Sequence, residues 1–530
     1  MPVLNTAIRP ESAEFAANQA ANLALLDELN KELDRVRAGG GERYVQRHRA
    51  RGRLLIRERI ELLVDPDTPF LELSSLTAWG TQFTPGATLV TGIGVVSGVP
   101  CMLLGHDATV RGGTLNPFTF RKHLRALEIA REYRIPVISL VESGGADLPT
   151  AGDLFIPSGA VFREMTQASA EGIPQISLVF GNATAGGAYI PGMSDYTVMI
   201  DQQSHVYLAG PPLVKMATGE DADDEQLGGA LMHGQQSGVS DYVARDERDC
   251  LRICRQIMSH FSWAPPVPLA GQLGREPAYD PGELLGIASS DPRQPFDMHE
   301  IVARIVDRSE FDSFKPLYGS QLVTGWARIY GRQVGIIGNN GVLFSAEAEK
   351  ATQFVQLCNQ IGCPIIFLQN TTGFMVGTSY EQTGITKNGA KMINAVANSK
   401  VPHFTVLCAS SYGAGNFAMM GRSIAPRLLF SWPNSRTAVM GPQQLAGVMS
   451  IVRRAAAAAR GEPYDEDEDQ RLRAELEAQV EQESLALTNT AKLHDDGIID
   501  PRDTRTVLGF ALQLCPLMDG VRSTYGVYRM

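Results

Sequence analysis

The chain has few cysteines, and their spacing matches no paired motif. Seven in 530 residues (Cys101, Cys250, Cys254, Cys358, Cys363, Cys408, Cys515) form no Cys-x-x-Cys pair. That argues against a zinc ribbon or a disulfide framework and fits reduced, buried thiols in a cytosolic-type compartment. Positive charge is also in deficit: 47 Lys+Arg against 58 Asp+Glu give a net charge of −11. Phosphate binding needs a concentrated basic surface, so no nucleic-acid partner is expected. No stretch approaches 18 uninterrupted apolar residues, so no membrane span is expected. Met1-Pro-Val-Leu-Asn-Thr-Ala7 lacks the charged and apolar regions of a secretory signal, and the expected location is cytoplasmic. No Walker A loop or dinucleotide fingerprint occurs. Glycine is what the chain has in quantity, at 52 residues. Many backbone positions are therefore expected to be left-handed or closely approached.

The glycines punctuate a duplication. Arg134-Ile-Pro-Val-Ile-Ser-Leu-Val-Glu-Ser-Gly-Gly145 is answered by Gly362-Cys-Pro-Ile-Ile-Phe-Leu-Gln-Asn-Thr-Thr-Gly373. Gly172-Ile-Pro-Gln-Ile-Ser-Leu-Val-Phe-Gly181 is answered by Lys400-Val-Pro-His-Phe-Thr-Val-Leu-Cys-Ala409. Both correspondences have an offset of 228 residues. Each second strand runs into small residues, Ala185-Gly-Gly-Ala188 in one copy and Tyr412-Gly-Ala-Gly415 in the other, so Gly186 and Gly187 match Ala414 and Gly415. Thr91–Gly98 and Thr324–Gly331 also match, but at an offset of 233, so the copies differ by five residues somewhere before the prolines. Helical patterns over 120–134 and 347–361 precede the proline strands. The repeated order of helix, buried strand and glycine turn predicts an α/β fold with parallel strands.

Ser12 to about Arg37 carries Ala16, Ala20, Leu23, Leu26, Leu29, Leu33 and Val36 at helical spacing and stops at Gly39-Gly-Gly41, which predicts a helix with a glycine stop. Arg47-His-Arg-Ala-Arg-Gly-Arg53 is either a solvated face or a grip for an anionic ligand. Residues 263–295 are proline-rich and read as a linker. Ala455–Ala459 and Tyr464–Gln470 read as an exposed helical excursion with no catalytic role.

A buried strand that ends in small residues and starts a helix presents unpaired amides, and the helix dipole adds positive character there. Small residues admit a ligand oxygen. The same arrangement serves an oxyanion or a phosphate, and glycine also serves close packing, so one such turn says little. Two turns at equivalent positions suggest one site built from two halves. Ser143, in Glu142-Ser-Gly-Gly-Ala146, departs from G-x-S-x-G and has no recognisable histidine base. His106, His123, His205, His233, His403 and His494 have no metal-ligand spacing, and no metal is expected. Glu142 could act as an acid or base, but its repeat counterpart is Asn370. Lys387 and Lys391 read as helix-surface residues, with a ligand-phosphate role as the alternative.

At these residues the chain resembles the carboxyltransferase (β) subunits of biotin-dependent acyl-CoA carboxylases, most of all the 3-methylcrotonyl-CoA and geranyl-CoA branch. The resemblance rests on Gly181-Asn-Ala-Thr-Ala-Gly-Gly-Ala-Tyr-Ile-Pro-Gly-Met-Ser-Asp195, Tyr207–Glu220, Gln369-Asn-Thr-Thr-Gly-Phe-Met-Val-Gly377, Ser411-Tyr-Gly-Ala-Gly-Asn416 and Asp495–Arg505. It implies a tandem pair of crotonase-like (ClpP/crotonase) ββα-superhelix domains. The acyl-CoA side would occupy residues 1–270, including the helix over 12–37. A linker would follow over 271–295, with the carboxybiotin side over 296–530. The resemblance further implies that Gly186 and Gly187 form the oxyanion hole for the thioester enolate, and that Ala414 and Gly415 hold the biotin ureido oxygen. Gly144, Gly145 and Ala146, Thr372, Gly373 and Phe374, with Asn416 and Phe417, are expected to bind the reactants. Biotin would arrive as carboxybiotin on a partner α subunit carrying the biotin carboxylase and biotin carboxyl carrier, because this chain has no Ala/Val-Met-Lys-Met motif and no ATP-binding domain. Proton removal would fall to the biotin anion, and assembly would be a hexamer. Alternatives are a decarboxylating carboxyltransferase of a biotin-dependent sodium pump and a non-catalytic hexameric scaffold. Two departures from the branch bear on substrate choice: Thr150–Met165 is shorter, and Phe417 stands where tyrosine is usual.

Overall fold

Two tight hairpins set the frame of both halves. Ser97 and Gly98 have φ of +52° and +79°, and Tyr330 and Gly331 +48° and +78°. Paired left-handed residues give a two-residue turn whose twist matches that of the strands it joins. In each case a buried or half-buried aspartate fixes the turn: Asp65 accepts from the amides of Ser97 and Gly98, and Asp307 from those of Tyr330 and Gly331. An arginine from a later helix then ties each aspartate to the chain just before it. Arg255 pairs with Asp65 and donates to Leu63 O; Arg505 pairs with Asp307 and donates to Ile305 O. The repeat thus extends to Leu63-Val-Asp65 and Ile305-Val-Asp307, beyond the segments legible as a duplication.

The computed structural model describes residues 1–261, 274–291 and 294–515. In chain order the strands are β1 (Leu71–Leu73), β2 (Leu89–Val96), β3 (Val99–His106), β4 (Val137–Ser143), β5 (Gln175–Thr184), β6 (Tyr196–Ile200), β7 (His205–Tyr207) and β8 (Tyr242–Ala244). The second set is β9 (Asp312–Ser313), β10 (Leu322–Ile329), β11 (Arg332–Asn339), β12 (Ile365–Thr371), β13 (His403–Tyr412), β14 (Leu428–Ser431) and β15 (Arg436–Ala438). The first sheet has the order β1-β2-β3-β4-β5-β6-β8, with β7 also on β5. The second runs β14-β13-β12-β11-β10-β9, with β15 also on β13. In both, the hairpin is antiparallel and the strands beyond it are parallel. Every residue of β3, β4 and β13 is buried, as expected for sheets covered on both faces.

The register repeats to the residue. Val137 pairs with Gln175, and Ile365 with His403; the ladder slips at Glu142 in one copy and Asn370 in the other, resuming at Ser143–Ala183 and Thr371–Ser411. Isolated bridges Leu115–Ala146 and Leu343–Phe374 are again 228 apart. The five-residue difference is thereby located between β3 and Leu115, where the first copy has Asp107–Thr114 and the second only Asn340–Val342. Helices Pro117–Tyr133 and Ser345–Gln360 carry twin buried lysines. Lys122 donates to Gly86 O and Leu89 O, and Lys350 to Gly319 O and Leu322 O. Desolvation pushes both ammonium groups down, to about 7 and about 8.

Contacts divide the chain into two compact units, Lys31–Ala264 and Met1–Asn30 with Pro265–Met530. The start of the first helix, Ala13–Arg37, read above as part of the first domain, packs with the C-terminal unit. Its inward face also differs from the expected leucine stripe. Phe15, Asn18, Asn22, Leu26 and Leu29 are buried, while Leu23 is 45% exposed. The asparagines point inward because Asn18 donates to Gly286 O, and Asn22 to Leu285 O and Ala288 O, carbonyls at the end of a short helix (Leu284–Ile287) that a leucine could not satisfy. That helix lies inside the segment read as a linker, with Leu284, Leu285 and Ile287 buried; residues 271–273 and 292–293 of that segment lie outside the described residues.

Candidate active site

Each half builds the same turn from the ends of two neighbouring parallel strands. In the N-terminal half, β5 ends at Thr184, Ala185 turns left-handed at φ +54°, and a single 3-10 turn (Ala185–Ala188) leads into Tyr189–Met193. In the C-terminal half, β13 ends at Tyr412, Gly413 has φ +57°, and the helix Gly413–Ala418 follows. Such starts leave the first amides, at Gly186 and Gly187 and at Ala414 and Gly415, without an intrahelical acceptor. Gly186 and Ala414 are exposed; Gly187 and Gly415 are buried against the adjoining strand end.

That adjoining end is duplicated too. Ser143 Oγ accepts from Gly145 N at 3.2 Å, and Thr371 Oγ1 accepts from Gly373 N at 3.1 Å. Gly145 (φ +89°) and Gly373 (φ +109°) face the carbonyls of Thr184 and Tyr412, where a Cβ would stand 3.1 and 3.6 Å from the oxygen. The candidate residues Gly144–Ala146 and Thr372–Phe374 therefore adjoin the turns of their own halves. Ser143 is buried, and its hydroxyl is engaged by the Gly145 amide, which fits a turn-forming residue better than a nucleophile.

What supports each turn differs between the halves. In the second, Asn416 Nδ2 donates to Ser411 Oγ at 2.7 Å, Ser411 to Gln369 Oε1, and Gln369 Nε2 to Met419 O at 2.6 Å. Asn416 thus pins the turn to the strand end through one of its two amide hydrogens. Phe374 leans on the helix Ile385–Ala397, where a Cβ at Gly389 would come within 3.2 Å of its ring, and Phe417 is 44% exposed. In the first half aromatics stand beside the turn instead. Phe162, from the helix Ala151–Ala170, meets Tyr189 edge-to-face at 5.6 Å, and its Cζ is the nearest atom, 3.9 Å away, to a Cβ placed on Gly186. Tyr189 is the repeat counterpart of Phe417, whereas the counterpart of Phe162 is Ala390. Thr150–Met165 stands out in the sequence by its length, but Phe162 within it does not, because one phenylalanine in a helix carries no signal of which neighbour it meets.

A cavity of about 760 Å³ opens in the C-terminal unit beside the second turn, lined by Thr372, Phe374, Met375, Val376, Tyr412, Met440 and Pro442. Its far wall includes Glu477, Ala478 and Glu481 from the helix Glu466–Ser484. These three residues lie on the helix that continues the excursion read over Tyr464–Gln470.

The charged candidates serve the frame. Glu142 is buried; Arg53 and Arg59 donate to its carboxylate, Arg59 at 2.7 Å, and His48 Nε2 lies 4.0 Å away. Arg59, 1% exposed, also donates twice to Glu247 and stacks over Phe180 at 4.3 Å. Burial by itself raises the Glu142 carboxyl, but Arg59, Arg53 and His48 outweigh it and hold it below the ordinary range. A carboxylate held ionised among cations is poorly suited to act as a base. The basic run is therefore not wholly a solvated face: His48 and Arg53 turn inward, while Arg47 and Arg51 are exposed. Burial pushes His106 to about 4 and His123 and His403 to about 3, so these imidazoles are neutral near pH 7. Lys387 is exposed, and Lys391 lies 4.0 Å from Glu349. The Asp495–Arg505 motif holds strands: Asp495 bonds Ser431, Asp496 bonds Leu429 N and Arg422, and Arg505 secures the second hairpin. All seven cysteines are buried, and none forms a disulfide. Among the described residues, no His/Cys/Asp/Glu cluster could hold a metal ion, and no helix is long and apolar enough to cross a membrane.

Residues 47–516 match the carboxyl transferase domain. The chain is 57% identical over its whole length, and that of its relative, to a probable biotin-dependent acyl-coenzyme A carboxylase beta2 subunit of Mycobacterium tuberculosis. It is 48% identical to that organism's biotin-dependent 3-methylcrotonyl-coenzyme A carboxylase beta1 subunit, over 96% of this chain and 97% of the other. The crystal structure of the geranyl-CoA carboxylase beta subunit of Pseudomonas aeruginosa matches over 100% of both chains, with a TM-score of 0.90 and 42% identity. The two duplicated α/β halves are thus a tandem crotonase-like pair. The chain belongs to the carboxyl transferase family and is a carboxyltransferase of the biotin-dependent acyl-CoA carboxylases.

Proposed function

We propose that the two turns divide the reactants, the N-terminal half holding the acyl-CoA thioester and the C-terminal half the ureido ring of carboxybiotin. The observation that carries this is the duplicated turn, which places an exposed residue, Gly186 in one half and Ala414 in the other, in the first turn of a helix. The Gly186 and Gly187 amides would stabilise the oxygen of the acyl enolate or dienolate, and the Ala414 and Gly415 amides the ureido oxygen. Each well-aimed donor contributes about 3–4 kcal/mol to such a step. The cavity beside Thr372, Phe374 and Tyr412 has the size and apolar lining for a bicyclic ring. When delivered, the carboxylated cofactor supplies both CO2 and the base. This suits a site whose glutamate is ion-paired and whose buried histidines are neutral. Binding energy here serves placement and charge stabilisation.

The acyl group is 3-methylcrotonyl or a related branched or short-to-medium chain, the chemistry named for relatives on this branch. Phe162 and Tyr189 would limit its length beside Gly186. Phe162→Ala is expected to raise kcat/KM for a longer acyl-CoA relative to a shorter one by about tenfold, within the 1–3 kcal/mol that one or two methylenes command. An unchanged ratio would remove Phe162 from substrate choice. A biotin-carrying α subunit, with biotin carboxylase and carrier domains, is the partner, and the β chains form a hexamer. Co-expression with a biotinylated α subunit, followed by bicarbonate fixation over a panel of acyl-CoAs, tests this reading. No transfer to any thioester, with the complex intact, would favour the scaffold. Loss of carboxyl from malonyl-type esters without net fixation would favour the decarboxylating alternative.

A further inference from the structure

The duplication also repeats an ion pair beside each turn, and the two copies differ in one respect. β7 runs parallel to the last residues of β5, pairing Asn182 with His205 and Thr184 with Tyr207. β15 does the same for β13, pairing Ser410 with Arg436 and Tyr412 with Ala438. His205 and Arg436 therefore occupy equivalent positions, each paired with the strand residue three before a turn. Each also makes an isolated antiparallel bridge, His205 to Gly229 and Arg436 to Leu485. Four residues before each bridge partner is a glutamate that accepts from the cation. His205 Nε2 lies 2.8 Å from Glu225 Oε1, and Arg436 Nε 3.2 Å from Glu481 Oε1.

The surroundings of His205 make the first pair a brace. Its Nδ1 lies 3.2 Å from Asn182 Oδ1, so both ring nitrogens face oxygens, an arrangement that an imidazolium with two N–H groups satisfies. Tyr207 stacks on the ring with centroids 6.4 Å apart, and its hydroxyl donates to Asp224 Oδ1 at 3.2 Å. Glu225 and Asp224 both belong to the short helix Asp224–Gly228. Through Asn182, and through the strand pairing of Tyr207 with Thr184, both links tie the final residues of β5, directly before Ala185, to that helix.

We propose that His205 is a positioning residue for the Gly186–Gly187 turn: paired with Glu225 it holds the end of β5, as Arg436 paired with Glu481 holds the end of β13. This rests on the division of reactants proposed above.

The test compares wild type, His205→Ala and His205→Arg, each assembled with the biotin-bearing partner. The first readout is hydrogen exchange over peptides spanning Asn182–Tyr189. Exchange is expected to rise in His205→Ala and to return to the wild-type level in His205→Arg. The second is carboxyl transfer. His205→Ala should lower kcat and kcat/KM equally, by about tenfold, as loss of a transition-state interaction does. His205→Arg should restore kcat to within about twofold of wild type. Equal exchange in all three proteins, or no recovery of kcat in His205→Arg, would overturn the proposal. If exchange behaves as expected but wild type transfers no carboxyl group to any thioester, the proposed function fails while the brace stands.

Discussion

Gly415→Val is expected to lower carboxyl transfer by about 10²–10³-fold while leaving subunit assembly intact. A Cβ at Gly415 would stand 2.9 Å from Thr371 Oγ1, 3.0 Å from Gly373 Cα and 3.1 Å from Thr371 Cγ2. Two of these atoms belong to a buried threonine and one to the backbone, so the conflict is not relieved by moving a flexible tip. The turn must shift, carrying the Ala414 and Gly415 amides with it, and displacement of one oxyanion donor costs about that factor. Gly187 gives a graded contrast. The nearest atoms to a Cβ there are Cβ and Oγ of Ser143, both at 3.9 Å, an ordinary contact. Alanine should fit at 187 with a small loss, whereas at 415 it should already impair turnover. Valine at 187 should press on Ser143 and abolish acyl-side stabilisation. Steady-state rates with the biotinylated partner and size-exclusion elution of each variant check the series. Wild-type-like rates in both valine variants would sink the two-turn mechanism.

This gradation was not visible in the sequence, although the turns themselves were. Period and spacing sufficed for the duplication, the parallel strands, and the equivalence of Gly186–Gly187 with Ala414–Gly415, because a strand that is buried on both faces and ends in small residues leaves a local signature. The same logic reached Gly145 and Gly373, whose left-handed backbones are written as glycine in both copies. It failed where the decisive contact is long-range. Asn18 and Asn22 sit on a face that pattern assigns to leucines, since their partners, the carbonyls at 285–288, lie more than 260 residues away. Phe162 meets Gly186 only after the helix and the turn have folded. The bond from Asn416 Nδ2 to Ser411 Oγ likewise joins two residues that no local pattern links. The twin lysines, 122 and 350, were legible at the repeat offset, but nothing in a sequence says that each is buried on two carbonyls.

The halves have diverged in how they secure the same backbone, and under the proposed division of reactants that divergence sets which substitutions harm which side. Polar relays hold the second turn: Gln369, Ser411 and Asn416 stand where the first half has Val141, Ala183 and Ala188. The first half places charge behind its turn instead, at the bulge residue Glu142, where the second has Asn370 clipped through its backbone by Asn339.

Glu142→Ala should therefore destabilise the N-terminal half strongly and impair acyl-side chemistry in the same variant. Removing one partner of a buried ion pair costs about 3–5 kcal/mol, because the remaining charge stays buried. Arg59 keeps Glu247, so the low end is expected, about 3 kcal/mol, or roughly 6–12 °C in the first calorimetric transition for a domain of this size. An exposed pair sets the scale: Arg454 and Glu466, each 58% exposed, lie 2.8 Å apart, and Arg454→Ala should cost under about 1 kcal/mol. The pH dependence has a defined sign. Glu142 titrates below the unfolded value of about 4.3, so its stabilisation is complete above that pH and disappears as pH falls through the lower folded value. Wild type should accordingly lose its margin over Glu142→Ala only below about pH 4. Activity follows because Glu142 is the residue at which β4 slips register before Ser143 and Gly145, and its carboxylate packs against Gly181 of β5, where a Cβ would stand 2.9 Å from Oε1. Glu142→Gln, which keeps the shape but not the charge, separates the two effects. A melting temperature near wild type together with low activity would assign Glu142 to the chemistry. A parallel fall in both is the expected result for a residue that shapes the turn from behind.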